Sequence, residues 1–186
     1  MSLQDAILNR RSIKRFTSRE VTREEVEALI QVAVHAPNHK LTQPWRFYVL
    51  GPGARRAYGE ALGNRKAKKA TDENAAREIV QKTGDEHASL PAMLAVAMTL
   101  SDNPEVREED FAATFMAIQN LALAAHAMGL GTHIKSGAVL EDPAARAAVG
   151  VAEGERIVAT LHLGEPAEQP PARPRIQASQ VTIWVP

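Results

Sequence analysis

The chain has no cysteine. That excludes disulfides, thiolate metal sites, iron–sulfur clusters and a cysteine nucleophile. Aromatic residues are scarce, at 4%, which argues against a stacking platform for single-stranded nucleic acid. Net charge is absent as well, because 22 basic residues balance 22 acidic ones. No global field draws nucleic acid or an anionic membrane to such a chain, so any anion site must be local. The longest apolar run, near Leu90 to Leu100, is too short to span a bilayer. No long apolar stretch of signal-peptide type is visible near the start. The expectation is a cytoplasmic protein that engages neither nucleic acid nor membrane. What is present is 45% hydrophobic residues over 186 positions, enough to build the core of a single domain.

Ser2 with Asp5 opens a first helix running to about Asn9, with Leu3, Ala6 and Ile7 as its apolar stripe. Thr22 with Glu25 opens a second, and Pro37 ends it near His35. A polar loop, APNHKLTQPW, leads into WRFYVL, a strand over 45–50. Residues 54–88 are polar and charged, with weak helical signals; they predict a mobile helical excursion, a candidate lid. AMLAVAMTL predicts a buried strand over 92–100. Glu108 to Met128 reads as a long helix, apolar on more than one face, which calls for burial in a core or a subunit interface. Strands follow at about 130–134 and 156–164, with a small helix started by Asp142-Pro143 between them. An extended proline-rich tail from about 165 ends in VTIWV, a strand candidate over 181–185 that needs a sheet to join. The order predicts a three-layer α/β/α arrangement of α+β type.

Three segments carry chemistry. NRRSIKRF places Arg10, Arg11, Lys14 and Arg15 around Ser12. Guanidinium forks, an ammonium and a hydroxyl together suit a phosphate. Solvated cations at a helix C-terminus are the competing reading, and for Arg15 the preferred one. ARPR adds Arg173 and Arg175 in the stiff tail. GLGTHIKSG carries glycines after a helix and before a strand, the wrong order for a dinucleotide fingerprint. Gly129 there fits a helix cap. His35 and His39 are four apart, but Pro37 breaks the helix that zinc-type spacing needs. No GxSxG element supports a serine nucleophile.

With these segments in order, the chain resembles the FMN-dependent nitroreductase family, in its short bacterial YdjA-like branch. NRRSIKRF, HAPNHKLTQPWRFYVL, GLGTHIKSGAV, and LHLGEPAE followed by ARPR carry the likeness. The resemblance implies an intertwined homodimer built on a mainly antiparallel sheet, with FMN at the subunit interface. It implies that Arg10, Arg11, Ser12 and Lys14 hold the phosphate and ribityl chain, and that Arg173 and Arg175 reach the same phosphate. It implies that His35, Pro37, His39 and Gln43 approach the flavin from the partner subunit. Ile134, Lys135 and Ser136 match a second flavin-contacting segment. His35 and Lys135 stand where many members carry arginine. Larger members of the family carry an asparagine and a lysine in the excursion that contact the ring, and which of Asn64, Lys66, Lys68 and Lys69 would match them stays open.

The implied activity is that of an NAD(P)H-dependent oxidoreductase. NADH or NADPH would pass a hydride to flavin N5, and a nitroaromatic, quinone or related electron-poor acceptor would collect it in a ping-pong cycle. No catalytic side chain is expected beyond Lys14, an electrostatic tuner near the flavin N1 and O2 edge. Two other readings stay open at this point. One is a flavin-binding storage or sensor protein without turnover, the other a phosphate-binding module without flavin.

Overall fold

The computed structural model describes residues 1–186. Two capping boxes open the chain. In α1 (Leu3–Asn9) the Ser2 hydroxyl accepts from the Asp5 amide, and the Asp5 carboxylate accepts from the Ser2 amide. In α2 (Arg23–Ala33) Thr22 and Glu25 repeat the pattern. Each satisfies donors that a helix start otherwise leaves open, worth about 1 kcal/mol. Beyond them lie β1 (Trp45–Val49), α3 (Pro52–Ala67), α4 (Glu73–Ala88), β2 (Ala92–Thr99), α5 (Pro104–Ala127), β3 (Gly131–Lys135), α6 (Pro143–Val149) and β4 (Glu155–Gly164).

The four strands form one antiparallel sheet in the order β1-β2-β4-β3. Side chains alternate across β2. Leu94, Val96 and Met98 enter a core with α2 and α5, while Met93, Ala95 and Ala97 enter a second core with α3 and α6. Helices therefore cover both sheet faces, the α/β/α layering expected from the element order. The same fact explains why AMLAVAMT is a continuous apolar run: it meets protein on either side.

Four expectations change. The stretch 54–88 is helical, but as α3 and α4 it forms a packed pair within one layer rather than a detached lid. A Cβ on Gly59 would sit 2.6 Å from the Thr83 carbonyl oxygen, so the two helices approach closely only because glycine stands there. Such small-residue packing leaves little hydrophobic signal in the sequence. Helix α5 begins at Pro104, with Asn103 accepting from the Glu105 amide, and so starts ahead of Glu108. The segment 181–185 forms no strand within its own chain, and Ile183, Trp184 and Val185 are 86%, 90% and 85% exposed. Of the α1 stripe, only Ala6 is buried; Leu3 and Ile7 face solvent.

Candidate cofactor site

The N-terminal segment after α1 is sewn along the outer edge of β3. Ser12 bridges Thr132 in parallel, and the Ile13 amide donates to the Thr132 carbonyl at 2.9 Å. Further on, Phe16 bridges Pro166, and the Ala167 amide donates to the Arg15 carbonyl at 3.0 Å. Ile13 is buried against Gly131, where a Cβ would come within 2.4 Å of its Cγ1. That close approach is the role of the second glycine of GLGTHIKSG. The first, Gly129, has φ +77° beyond the end of α5 and acts as the expected helix cap.

This stitching turns the basic side chains into one cavity of about 530 Å³, lined by Arg10, Arg11, Ser12, Lys14, His133, Glu168, Pro170, Pro171, Arg173 and Arg175. Side chains from residues 10–14 and from Arg173 and Arg175, far apart in the sequence, thus line one cavity. Burial holds the Arg10 guanidinium below its ordinary range, and Arg11 and Arg175 push it the same way. Positive charge is crowded and partly dehydrated here. Glu168, the one acid of the lining, pairs with exposed Arg15 at 3.7 Å, which gives Arg15 its solvated role. Arg11 is partly committed to local structure, because its Nη1 donates to the Leu8 carbonyl at 2.7 Å and so caps α1. The donor set remaining around Ser12 matches what a phosphate requires.

A second cavity of about 390 Å³ continues beyond Lys14. Lys14 and His133 line both cavities. The second adds Lys135, His162, His87, Glu86, Phe16, Thr17, Ser89, Leu90 and Pro91. His133 and His162 face each other across β3 and β4 with ring centroids 6.0 Å apart. His87 of α4 meets His162 edge-on at 5.3 Å. The Nδ1–H of His87 donates to the Thr83 carbonyl at 2.8 Å, which fixes its tautomer. Burial lowers His87 and His133, and pushes His162 down to about 2, with Lys135 adding to the effect. Lys135 is itself lowered, by burial first and then by Lys66. The histidine trio escaped the sequence reading. The polar residue inside the apolar strand LHLG was its one available signal.

The other candidates lie elsewhere or contribute differently. Ile134 packs partly into the α2–α5 core, and Ser136 is exposed at the end of β3. His35, Pro37, His39 and Gln43 are exposed on the loop after α2. Lys40, Leu41 and Gln43 of that loop have φ of 59°, 53° and 46°. Three non-glycine residues in the left-handed region store strain, a pattern that clusters at ligand-contacting loops. The Asn38 carboxamide accepts from the Gln43 amide at 2.6 Å, and the Thr42 hydroxyl donates to buried Asp110. His39 Nδ1 lies 2.9 Å from Glu109 near the start of α5. The phosphate-type cavity neighbours His126 at the other end of the same helix. At 1.5 Å per residue the two helix positions are about 25 Å apart. One chain therefore does not bring the loop to the basic cavity. No three His, Asp or Glu side chains are placed to hold a metal ion. No helix is long and apolar enough to cross a membrane.

The chain is similar to known proteins along most of its length. The profile of the nitroreductase family matches residues 7–165. YfhC of Bacillus subtilis (strain 168) is 34% identical over 176 residues, covering 93% of this chain and 89% of the relative. YdjA of Escherichia coli (strain K12) is 29% identical over 167 residues, covering 89% of each. Both carry the name "Putative NAD(P)H nitroreductase". Among solved structures, a nitroreductase-like family protein from Bacillus cereus superposes with a TM-score of 0.87 at 29% identity, covering 100% of this chain and 96% of its own. The FMN and NADPH-dependent nitroreductase NfnB from Sphigopyxis sp. strain HMH shares the fold at a TM-score of 0.81 and 20% identity, with 100% of both chains covered. The chain belongs to the nitroreductase family.

Proposed function

We propose that this protein is an FMN-dependent oxidoreductase that uses NADH or NADPH to reduce nitroaromatic, quinone or related electron-poor acceptors. The observation that carries the reading is the convergence of residues 10–14 with Arg173 and Arg175 in one cation-rich cavity on the β3 edge, with Arg10 partly buried. The names of YfhC and YdjA, and the FMN and NADPH dependence of NfnB, support it.

When bound, FMN supplies the redox chemistry by accepting and donating a hydride. The chain supplies position and charge. Arg10, Ser12, Arg173 and Arg175 hold the phosphate. Arg11 joins them while anchoring the end of α1. Lys14 stands where the two cavities meet and presents an ammonium toward the ring end. Lys135 adds a second cation in partly buried surroundings, where charge acts over shorter screening. Ile134 and Ser136 offer backbone along the same strand end.

The active unit is a homodimer. His35, Pro37, His39 and Gln43 reach the flavin of the other copy, because the length of α5 keeps them from the cavity of their own. Strand β1 is an unpaired edge of the sheet. Beside it runs a groove lined by Val21, Val26, Ile30 and Leu50. An exposed apolar segment and an open strand edge are complementary, so residues 181–185 of one copy add to β1 of the other. The outward residues of α5, including Met116 at 41% exposure, belong to the same buried surface.

A visible absorption spectrum of the purified protein, followed by addition of NADPH or NADH in the absence of oxygen, tests the function. Flavin bands that bleach with the reductant are expected. A colourless protein that takes up no FMN overturns the reading, and stable flavin bands that neither reductant bleaches reduce it to flavin storage.

A further inference from the structure

The loop between α2 and β1 holds three non-glycine residues in the left-handed region, Lys40, Leu41 and Gln43. Such backbone persists only where the surroundings over-determine it. Burial does not do so here, because Leu41 is 77% exposed and Lys40 and Gln43 also face solvent. Hydrogen bonds hold the loop instead, and they form one directed chain. The Gln43 amide donates to the Asn38 carboxamide oxygen at 2.6 Å. The Asn38 carboxamide nitrogen donates to the Thr42 hydroxyl at 2.9 Å. That hydroxyl has a single proton to give. It goes to the Asp110 carboxylate of α5, nearer and charged, in preference to the Asn38 oxygen at 3.2 Å.

The chain of bonds ends on a charge that water scarcely reaches. Asp110 is 3% exposed and joins no ion pair. A buried carboxylate without a counter-ion is costly to keep. Thr114, one turn on, is buried as well, but its hydroxyl donates to the Asp110 carbonyl at 2.7 Å and leaves the carboxylate to the loop. An ionised carboxylate only accepts, which sets the direction of each bond back to Gln43 and strengthens them in turn. The neighbouring tie, His39 Nδ1 to Glu109 at 2.9 Å, is the weaker one. The His39 side chain is 63% exposed, and solvent screens such a pair. On the β1 side Pro44 is buried, and its carbonyl accepts from the Thr99 amide at 2.9 Å. The sheet thus fixes that end of the loop, and Asp110 fixes the part that projects.

We propose that Asp110 is a positioning residue for the cofactor: through Thr42 and Asn38 it holds residues 38–43 in the left-handed form in which the loop meets the flavin of the other copy. It rests on the flavin and dimer reading above and adds the residue that sets the loop's shape. Thr42→Val keeps nearly the same side-chain shape and removes the hydroxyl, whereas Thr42→Ser keeps the hydroxyl. On FMN-saturated protein, hydrogen exchange of the peptide covering residues 38–43 is expected to quicken roughly tenfold or more in Thr42→Val, the scale of one hydrogen bond to a charged group. Exchange in β2 should not change. Release of FMN from the loaded protein, read by the fluorescence of free flavin, should quicken by roughly threefold or more, as the loop spends less time in the form that meets the ring. Thr42→Ser should restore both. Asp110→Ala should act like Thr42→Val, and the double variant should go no further, because both remove one contact. Unchanged loop exchange in Thr42→Val overturns the proposal, and so does faster exchange with unchanged FMN release. Additive effects in the double variant, or a serine variant that behaves like the valine one, overturn it as well. A wild-type protein that takes up no FMN overturns the flavin reading instead. Loop exchange in Thr42→Val then still reads the tie to Asp110, and unchanged exchange rejects it.

Discussion

Ile13 rests on Gly131 so closely that a Cβ at the glycine would lie 2.4 Å from the isoleucine Cγ1. This contact presses the basic segment onto the β3 edge and so positions Arg10, Ser12 and Lys14. Gly131→Ala is expected to push the segment away. Overpacking of this kind costs about 1–3 kcal/mol, which thermal unfolding will show. FMN content should fall as well, beyond what the stability loss explains.

Arg10→Ala combined with Ser12→Ala removes a guanidinium and a hydroxyl from the cradle without touching either core. The double variant should keep its circular dichroism spectrum and purify without flavin. Retention of full yellow colour would place the phosphate elsewhere.

Lys14→Ala addresses charge rather than anchoring. The ammonium lies at the junction of the two cavities, where it favours developing negative charge. Stopped-flow measurement should find slower flavin reduction, by about tenfold for a partly shielded charge, with a smaller change in FMN affinity. Equal losses in both would assign the residue to binding alone.

Buried neutral histidines make stability depend on pH. His162 falls from an ordinary value near 6.5 to about 2 in the folded protein, mainly through burial, and His87 is lowered for the same reason. The unfolded chain therefore binds protons below about pH 6.5 that the folded chain refuses. Stability is unaffected by these groups above that pH and declines below it, by up to about 1.4 kcal/mol per pH unit for each histidine that stays neutral. Denaturant titrations between pH 6.5 and 5 lie above the range of most carboxylates. They should show this slope, and His162→Gln should reduce it by about one proton.

The exposed tail predicts an assembly phenotype. Trp184 is 90% exposed in one chain, and its burial against a second copy would remove that surface from water. Trp184→Ala, or removal of residues 177–186, should weaken dimers in sedimentation velocity and lower Tm. An unchanged dimer would exclude the tail from the interface.

Much of this was legible in the residue order because it rests on local physics. The capping pairs Ser2 with Asp5 and Thr22 with Glu25, the apolar run 92–99 and the turn at Gly129 declare themselves over a few residues. The cluster around Ser12 announced an anion site by composition, while leaving solvated cations as an equal reading. Other features depend on partners that the order of residues does not reveal. α3 and α4 pack through small residues such as Gly59, whose value lies in what they omit. His133, His162 and His87 come from three elements, and become one cluster only when β3 pairs with β4 beneath α4.

The sequence by itself determined the capped helices, the four strands of the sheet, the layering and the presence of a local cation excess, because hydrophobic period, caps and charge are short-range properties. Only the tertiary structure decided that Arg10 meets Arg173 and Arg175, that Arg15 turns to Glu168, and that His39 stands at the far end of α5 from the cradle. Those outcomes follow from strand pairing and from the length of one helix, which set distances between residues that the chain itself keeps far apart.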